Sequence, residues 1–196
     1  MEGAAELMYE RGVAGTSLDE IMAATGTSKS QLYHYFDGKD ALVLDVIRSQ
    51  LAQIIAGQEV PLRELRSWAG LVQWCDHVVA MTQATNGVGG CRLGSLASEL
   101  ADRSEPARLV LAGCFAEWES HLSDGFAVMR NEGELGDDAD PEALASAVMA
   151  ALQGGLLLSQ TVRGAHPLEL AMSMALDHVG RHRTSTDGGA SVGRSA

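Results

Sequence analysis

Apolar side chains recur at spacings of three and four along almost the whole chain, carried by Ala, Leu, Met and Ile, and no stretch alternates as a half-buried strand would. The pattern predicts an all-α protein of about nine helices. The first runs from about Glu2 to Arg11, with Gly12 and Gly15 in its exit turn. The second starts at Ser17-Leu18-Asp19-Glu20, a capping-box spacing, carries Leu18, Ile21 and Met22 inward, and stops at Gly26. The third starts at Ser28-Lys29-Ser30-Gln31, again a capping box, and ends near Phe36, with Leu32 and Phe36 turned to the core. Asp37 is expected to cap a fourth, longer helix over about 38–57. Two short helices joined by a tight glycine turn, with one helix before and one after, make a helix-turn-helix corner.

The remainder reads as a second helical unit. A fifth helix is expected over Leu62–Thr82, a glycine-rich break over Asn86–Cys91, and a short helix around Ser95–Ala101. A long helix follows from Glu105 to Asn131, and a loop spans Gly133–Asp138. Asp140-Pro141-Glu142 then opens a helix with a cap and a proline in its first turn, running to about Val162. His166-Pro167 leads into the last helix, ending near His182. Residues 184–196 hold almost no large apolar side chains and are expected to be disordered. The domain reading is thus 1–47 for the head, linked through helix four, 58–183 for the body, and 184–196 for the tail.

Charge changes the picture. The 196 residues carry a net charge of −12. Residues 1–57 hold four cations (Arg11, Lys29, Lys39, Arg48) against eight anions, a balance of −4. A nucleic-acid-binding head usually needs a basic face, so any such face here must be a local patch. Three cysteines, Cys75, Cys91 and Cys114, form no CxxC pair, which argues against a zinc module or disulfide framework and for a reducing, cytoplasmic setting. No apolar run reaches the roughly 20 residues of a membrane span, and no signal peptide is evident. No cofactor motif or metal constellation stands out.

The head resembles the TetR family of transcriptional regulators. The residues that carry the likeness are Glu10-Arg11-Gly12, Thr16-Ser17, Ile21-Met22, Thr25-Gly26-Thr27-Ser28-Lys29, Leu32-Tyr33-His34-Tyr35-Phe36 and Lys39, in the family's order and spacing over most of residues 4–47. The body is similar more loosely, through helix count and Gly133–Ala145, while the phrase Gly90-Cys91-Arg92-Leu93-Gly94-Ser95-Leu96 resembles the subgroup related to repressors of multidrug-efflux genes. Met22, Thr25 and Thr27 depart from the smaller or more apolar residues usual there. The family also implies a basic arm upstream of Met1, so a start further upstream is one expectation.

The resemblance implies a homodimer binding double-stranded DNA at a pseudo-palindromic operator, with a small-molecule effector and no membrane. The third helix would enter the major groove and read bases, while helix starts hold phosphates. The residues expected at DNA are Thr16, Ser17, Thr27, Ser28, Lys29, Ser30, Gln31, Tyr33, His34 and Lys39. Gln31 suits adenine and Lys29 suits guanine or a phosphate. For Tyr35 packing is the stronger expectation.

Expected effector contacts are Trp68, Leu71, Cys75, Val78, Met81, Leu96, Phe115, Trp118, Leu122, Phe126 and Met149, with His121 and Gln153 as polar anchors and Val72 and Leu152 as further wall. Aromatic and Met side chains at that density suit an apolar, adaptable site, and equally suit plain core. The helices from Glu142 and Leu168 are expected to form the dimer face, through Ala143, Ala147, Ala150, Ala151, Gly154 and Gly155 on one and Leu168, Ala171, Met172, Ala175, Leu176 and Val179 on the other; intramolecular core is the competing account. The function implied is a repressor released from DNA by an apolar or aromatic ligand, with a ligand-binding relative that has lost DNA affinity as the alternative.

An enzyme is disfavoured. Cys75-Asp76-His77 are adjacent on a helix, and neighbours there point about 100° apart. His178 and His182 share a helical face but lack the glutamate and third ligand of a metalloprotease.

Overall fold

A computed structural model describes residues 1–184. The expected tail, apart from Thr184, lies outside them. Ten helices occupy the described residues, with one isolated antiparallel bridge between Leu135 and Arg183. The head comprises α1 (Glu2–Arg11), α2 (Leu18–Thr25), α3 (Lys29–Tyr35) and the start of α4 (Lys39–Gly57).

Both expected capping boxes form. The Ser17 hydroxyl accepts the Glu20 N–H while the Glu20 carboxylate accepts the Ser17 N–H at 2.8 Å. Ser28 and Gln31 repeat the arrangement, with the Ser28 N–H donating to Gln31 Oε1 at 2.9 Å. Between them Gly26, at φ 65°, takes the left-handed turn that lets α3 leave at an angle. Ala4, Ala5, Met8, Ile21, Leu42, Val43, Val46 and Ile47 fill the head's core, and Leu32 is buried beneath α3. The expectation that Asp37 caps α4 is corrected: the cap position is Gly38, and no side chain bonds there.

The single fifth helix is also corrected. The chain forms α5 (Glu59–Glu64) and, after a break at Leu65–Ser67, α6 (Trp68–Ala84). The Ser67 hydroxyl accepts the Gly70 N–H, and the distant Glu134 carboxylate accepts the Trp68 N–H at 2.7 Å. Leu65 is fully buried, and its carbonyl lies so close to Gly125 that any side chain there would collide with it. Tertiary contacts hold the break open where local sequence would allow a continuous helix.

The rest of the body is α7 (Arg92–Leu100), α8 (Glu105–Asn131), α9 (Pro141–Val162) and α10 (His166–Gly180). α7 begins three residues before the expected position, because the Cys91 sulfur accepts the Gly94 N–H at 3.3 Å and acts as its cap. α9 packs on α8 and, most extensively, on α10. Gly155 makes the latter approach possible, since an added Cβ would sit 2.7 Å from Leu168 Cδ1. The Ser159 hydroxyl, wholly buried, accepts the Leu168 N–H at 3.1 Å and fixes the register of the pair.

α10 corrects the expected dimer face. Leu168, Met172, Ala175 and Val179 point into the chain's own core. The outer side of the pair carries Ala143, Ala147, Ala150, Gly154, Leu157, Leu158 and Val162 of α9, beside Leu170 and Met174 of α10. By length and composition α9 also passes as a membrane-crossing helix.

Candidate DNA-binding face and effector cavity

α3 is held to the head by Leu32 and by the half-buried Phe36 that follows it. Its other side stands clear: Lys29, Ser30, Gln31, Tyr33, His34 and Tyr35 are all exposed, as is the capping Ser28. The Lys29 ammonium lies 5.9 Å from the Tyr33 ring centre, and the His34 and Tyr35 rings meet edge to face at 5.0 Å. Tyr35 is 75% exposed, so the expectation of packing is corrected and its ring joins this face. Ser17 is exposed, and Thr27 and Lys39 are half-buried at its borders.

Thr16 is different. It is 1% exposed, and its hydroxyl donates to the Gly12 carbonyl at 2.8 Å, so the side chain braces the turn and offers nothing to a phosphate. Gln31 also has a second task, because its Oε1 already accepts the Ser28 N–H. Presenting both ends of the carboxamide to an adenine requires that bond to open or be shared.

Local electrostatics reconcile the acidic head with a DNA face. Arg11 pairs with Glu20 at 2.9 Å and Arg48 with Asp45 at 2.7 Å. Ser17 and then Arg11 hold the Glu20 carboxyl below the usual carboxylate range. Lys29 and Lys39, at the starts of α3 and α4, enter no ion pair among the described residues. The two cations left available in the head therefore flank the exposed rod.

The body contains a cavity of about 290 Å³ between α4, α6, α8, α9 and the glycine-rich loop before α7. Of the expected effector residues, Val78, Met81 and Trp118 line it, with Leu152. Leu71, Cys75, Leu122, Phe126 and Met149 are packed core instead, with no free space beside them in this cavity. Burial, with a smaller contribution from Asp76, pushes the Cys75 thiol up to about 12. Trp68 lies under the Arg183 guanidinium, 4.5 Å from its ring centre, near the C-terminal turn. Phe115 packs on the core edge, His121 and Val72 are half-buried, and Gln153 bonds the Met149 sulfur at 3.6 Å and borders Gly94. Leu96 lines a separate recess of about 70 Å³ beneath the head.

Most of the residues that sequence reading missed are polar or glycine, with Ile54, Val88 and Leu156 the apolar exceptions. Gln50, Gln53, Ile54, Gly57 and Gln58 at the end of α4 form one wall, and Gly87–Arg92 another. The glutamines interrupt the apolar stripe of α4, so the spacing of its apolar residues does not mark them. Gln58 is in fact buried, and its Oε1 accepts the Trp74 indole N–H at 2.8 Å.

The cavity wall is tied to the head. Tyr9 of α1 donates its hydroxyl to the Gly89 carbonyl at 3.2 Å and accepts from Gln160 Nε2 of α9 at 3.3 Å. Arg92 stacks on the Tyr9 ring at 4.7 Å and pairs with Glu6 at 2.7 Å. Two turns further along α7, the Glu99 carboxylate accepts the N–H groups of Val13 and Ala14, both at 2.8 Å.

A helix-turn-helix head with an exposed third helix, set on a helical body with an open-sided cavity between its helices, defines a DNA-binding regulator of the ligand-sensing kind. The chain belongs to the TetR family: residues 1–46 match the bacterial regulatory proteins of the tetR family, and residues 68–175 match the tetracyclin repressor-like C-terminal domain. It is a DNA-binding transcriptional regulator, and members of this family act as dimers with effector ligands.

Among relatives, an HTH-type transcriptional regulator encoded in the lacX 3' region of Lactococcus lactis is 29% identical over 84% of this chain and 83% of its own. The HTH-type transcriptional repressor DhaR of Mycobacterium sp. strain GP1 is 24% identical, over 90% of this chain and 88% of its own. Among solved structures, a TetR transcriptional regulator from Chloroflexus aurantiacus superposes with a TM-score of 0.80 at 24% identity, over 93% of each chain. A CifR cysteine mutant, solved with 26-bp double-strand operator DNA, superposes with a TM-score of 0.76 at 22% identity, over 90% of this chain and 93% of that one.

Proposed function

We propose that this regulator is a cytoplasmic repressor whose α3 reads the major groove of a two-fold operator and whose body cavity holds the effector that releases it. The observation that carries the reading is the bonded path from cavity to head. Gly87–Arg92 walls the cavity, and the same segment is held to α1 through Tyr9 and Glu6. A ligand shifts a conformational equilibrium only by binding one state better than the other. A molecule that reshapes the glycine-rich wall changes what α1 rests on, and so the attitude of α3.

Ser30, Gln31, Tyr33 and His34 are assigned to base edges, and Ser17, Thr27, Ser28, Lys29 and Lys39 to the backbone on either side. Tyr35 joins them on its exposure, and Thr16 becomes a brace. The outer apolar strip of α9 and α10 is assigned to the dimer, since two such pairs around a two-fold axis make a four-helix interface. DhaR and NemR, two relatives, carry the word repressor in their names, which favours repression over activation.

The test is selection of bound sequences from a randomised DNA pool, followed by gel shifts. The intact protein should select a two-fold motif. Gln31→Ala should change the preferred base at one position in each half, at a cost of about 1–3 kcal/mol there. Lys39→Ala should weaken all sequences alike and lower the salt slope by about one. Absence of any selected motif supports the ligand-binding alternative without DNA recognition.

A further inference from the structure

The cavity has an unequal complement of hydrogen-bonding groups. Gln50 is 3% exposed and Trp118 2%, both line the cavity, and Gln50 Nε2 and Trp118 Nε1 have no hydrogen-bond partner among the described residues. An unpaired buried N–H is costly, so native proteins seldom keep one without a use for it. The Thr82, Thr85 and Gln58 side chains are engaged elsewhere. The Thr82 hydroxyl donates to the Val78 carbonyl at 3.0 Å, and the Thr85 hydroxyl to the Thr82 carbonyl at 3.2 Å. With its Oε1 committed to Trp74, Gln58 has only its amide N–H groups left to offer.

An indole N–H donates and never accepts, so Trp118 fixes the sign: whatever meets it must bring an acceptor. The wall contains no Asp or Glu to hold a cation. Its one charge, Arg92, is already paired with Glu6 and stacked on Tyr9, so an anion would have to displace Glu6. The remaining wall is Ile54, Val78, Met81, Val88, Leu152 and Leu156. A hydroxyl on the ligand would bring a donor needing its own acceptor, whereas a carbonyl oxygen takes two N–H groups and brings none.

We propose that the cavity receives an uncharged, largely apolar molecule bearing a carbonyl oxygen, held by the N–H donors of Gln50 and Trp118. The proposal rests on the reading of this cavity as the effector site. At about 290 Å³ it lies at the small end of ligand pockets, which suits a one- or two-ring compound.

The experiment uses the full chain and four probes on one ring frame: α-tetralone, tetralin, 1-aminotetralin and tetralin-1-carboxylate. Binding is measured by calorimetry, and the indole N–H resonances by ¹⁵N correlation spectra, with Trp118 assigned from W118F. The ketone should bind about tenfold tighter than tetralin and than either charged analogue, the size expected of one or two net hydrogen bonds. It should move the Trp118 indole resonance, and tetralin should not. Q50L and W118F should each lower ketone affinity about two- to tenfold, and by more than they change tetralin affinity. Q50L should melt no lower than wild type, which separates a lost donor from a damaged fold.

Tetralin binding as tightly as the ketone overturns the carbonyl proposal and leaves the cavity reading standing. Preference for the amine or the carboxylate does the same. Failure of all four to bind overturns the cavity as a receptor for ligands of this size, and the proposal with it.

Discussion

The Tyr9 hydroxyl of α1 donates to the Gly89 carbonyl in the cavity wall, across eighty residues of sequence. The same oxygen accepts from Gln160, so one phenol joins the head, the glycine-rich loop and α9. Tyr9→Phe keeps the ring under Arg92 and removes both bonds. Stability should fall by about 1–2 kcal/mol, at roughly one per bond. Affinity for the selected DNA motif should stay within about threefold, while the loss of affinity caused by α-tetralone shrinks, since coupling needs a contiguous element that both sites bias. Anisotropy titrations with and without the ketone, on wild type and variant, measure it.

Glu99 holds the turn between α1 and α2 by accepting two adjacent backbone N–H groups. Glu99→Ala leaves the partly buried Val13 N–H without its partner, at a cost of about 1–3 kcal/mol. Amide exchange should accelerate at Val13 and Ala14 first and across α2 next, with the α9–α10 pair unchanged. Glu99→Gln should recover part of the loss, because one amide oxygen can still accept.

Leu158 and Leu168 lie on opposite sides of the α9–α10 pair, the first exposed and the second fully buried. Leu158→Glu should leave the melting of an isolated protomer nearly unaltered and convert the dimer to monomer in sedimentation at micromolar concentration. Leu168→Ala should instead cost about 2–5 kcal/mol through the cavity it leaves. A Leu158→Glu protein that sediments as a dimer would remove this strip from the interface.

Cys75 gives a pH prediction. Burial raises its thiol from 9.0 to about 12, so the fold favours the neutral form. Its contribution to stability is intact below pH 9 and is lost as pH climbs toward about 12. At pH 8 the buried Cys75 is therefore held as the neutral thiol. Iodoacetamide at that pH should leave Cys75 unlabelled in the folded chain and label it fully in denaturant, as read by peptide mass spectrometry.

The helical class, the two capping boxes and the exposed rod of α3 were legible in the residues themselves. Ser17 with Glu20, and Ser28 with Gln31, find each other three positions apart, and Leu32 marks the single inward side of a seven-residue helix. Such features depend on bonds that close within one helical turn, so local spacing encodes them.

Which helix faces lie inside was decided elsewhere. Leu168, Met172 and Val179 show the same period whether they meet α9 or a second subunit, and only the packing at Gly155 and Ser159 chose between these. The break before α6 depends on Glu134 and Gly125, the head's brace depends on Glu99, and the cavity wall draws Gln50 and Trp118 together from helices far apart in sequence. No local pattern reports a hydrogen bond to an atom sixty to ninety residues away, so the outline of the molecule was in the chain's periodicity and the shape of its cavity only in the folded packing.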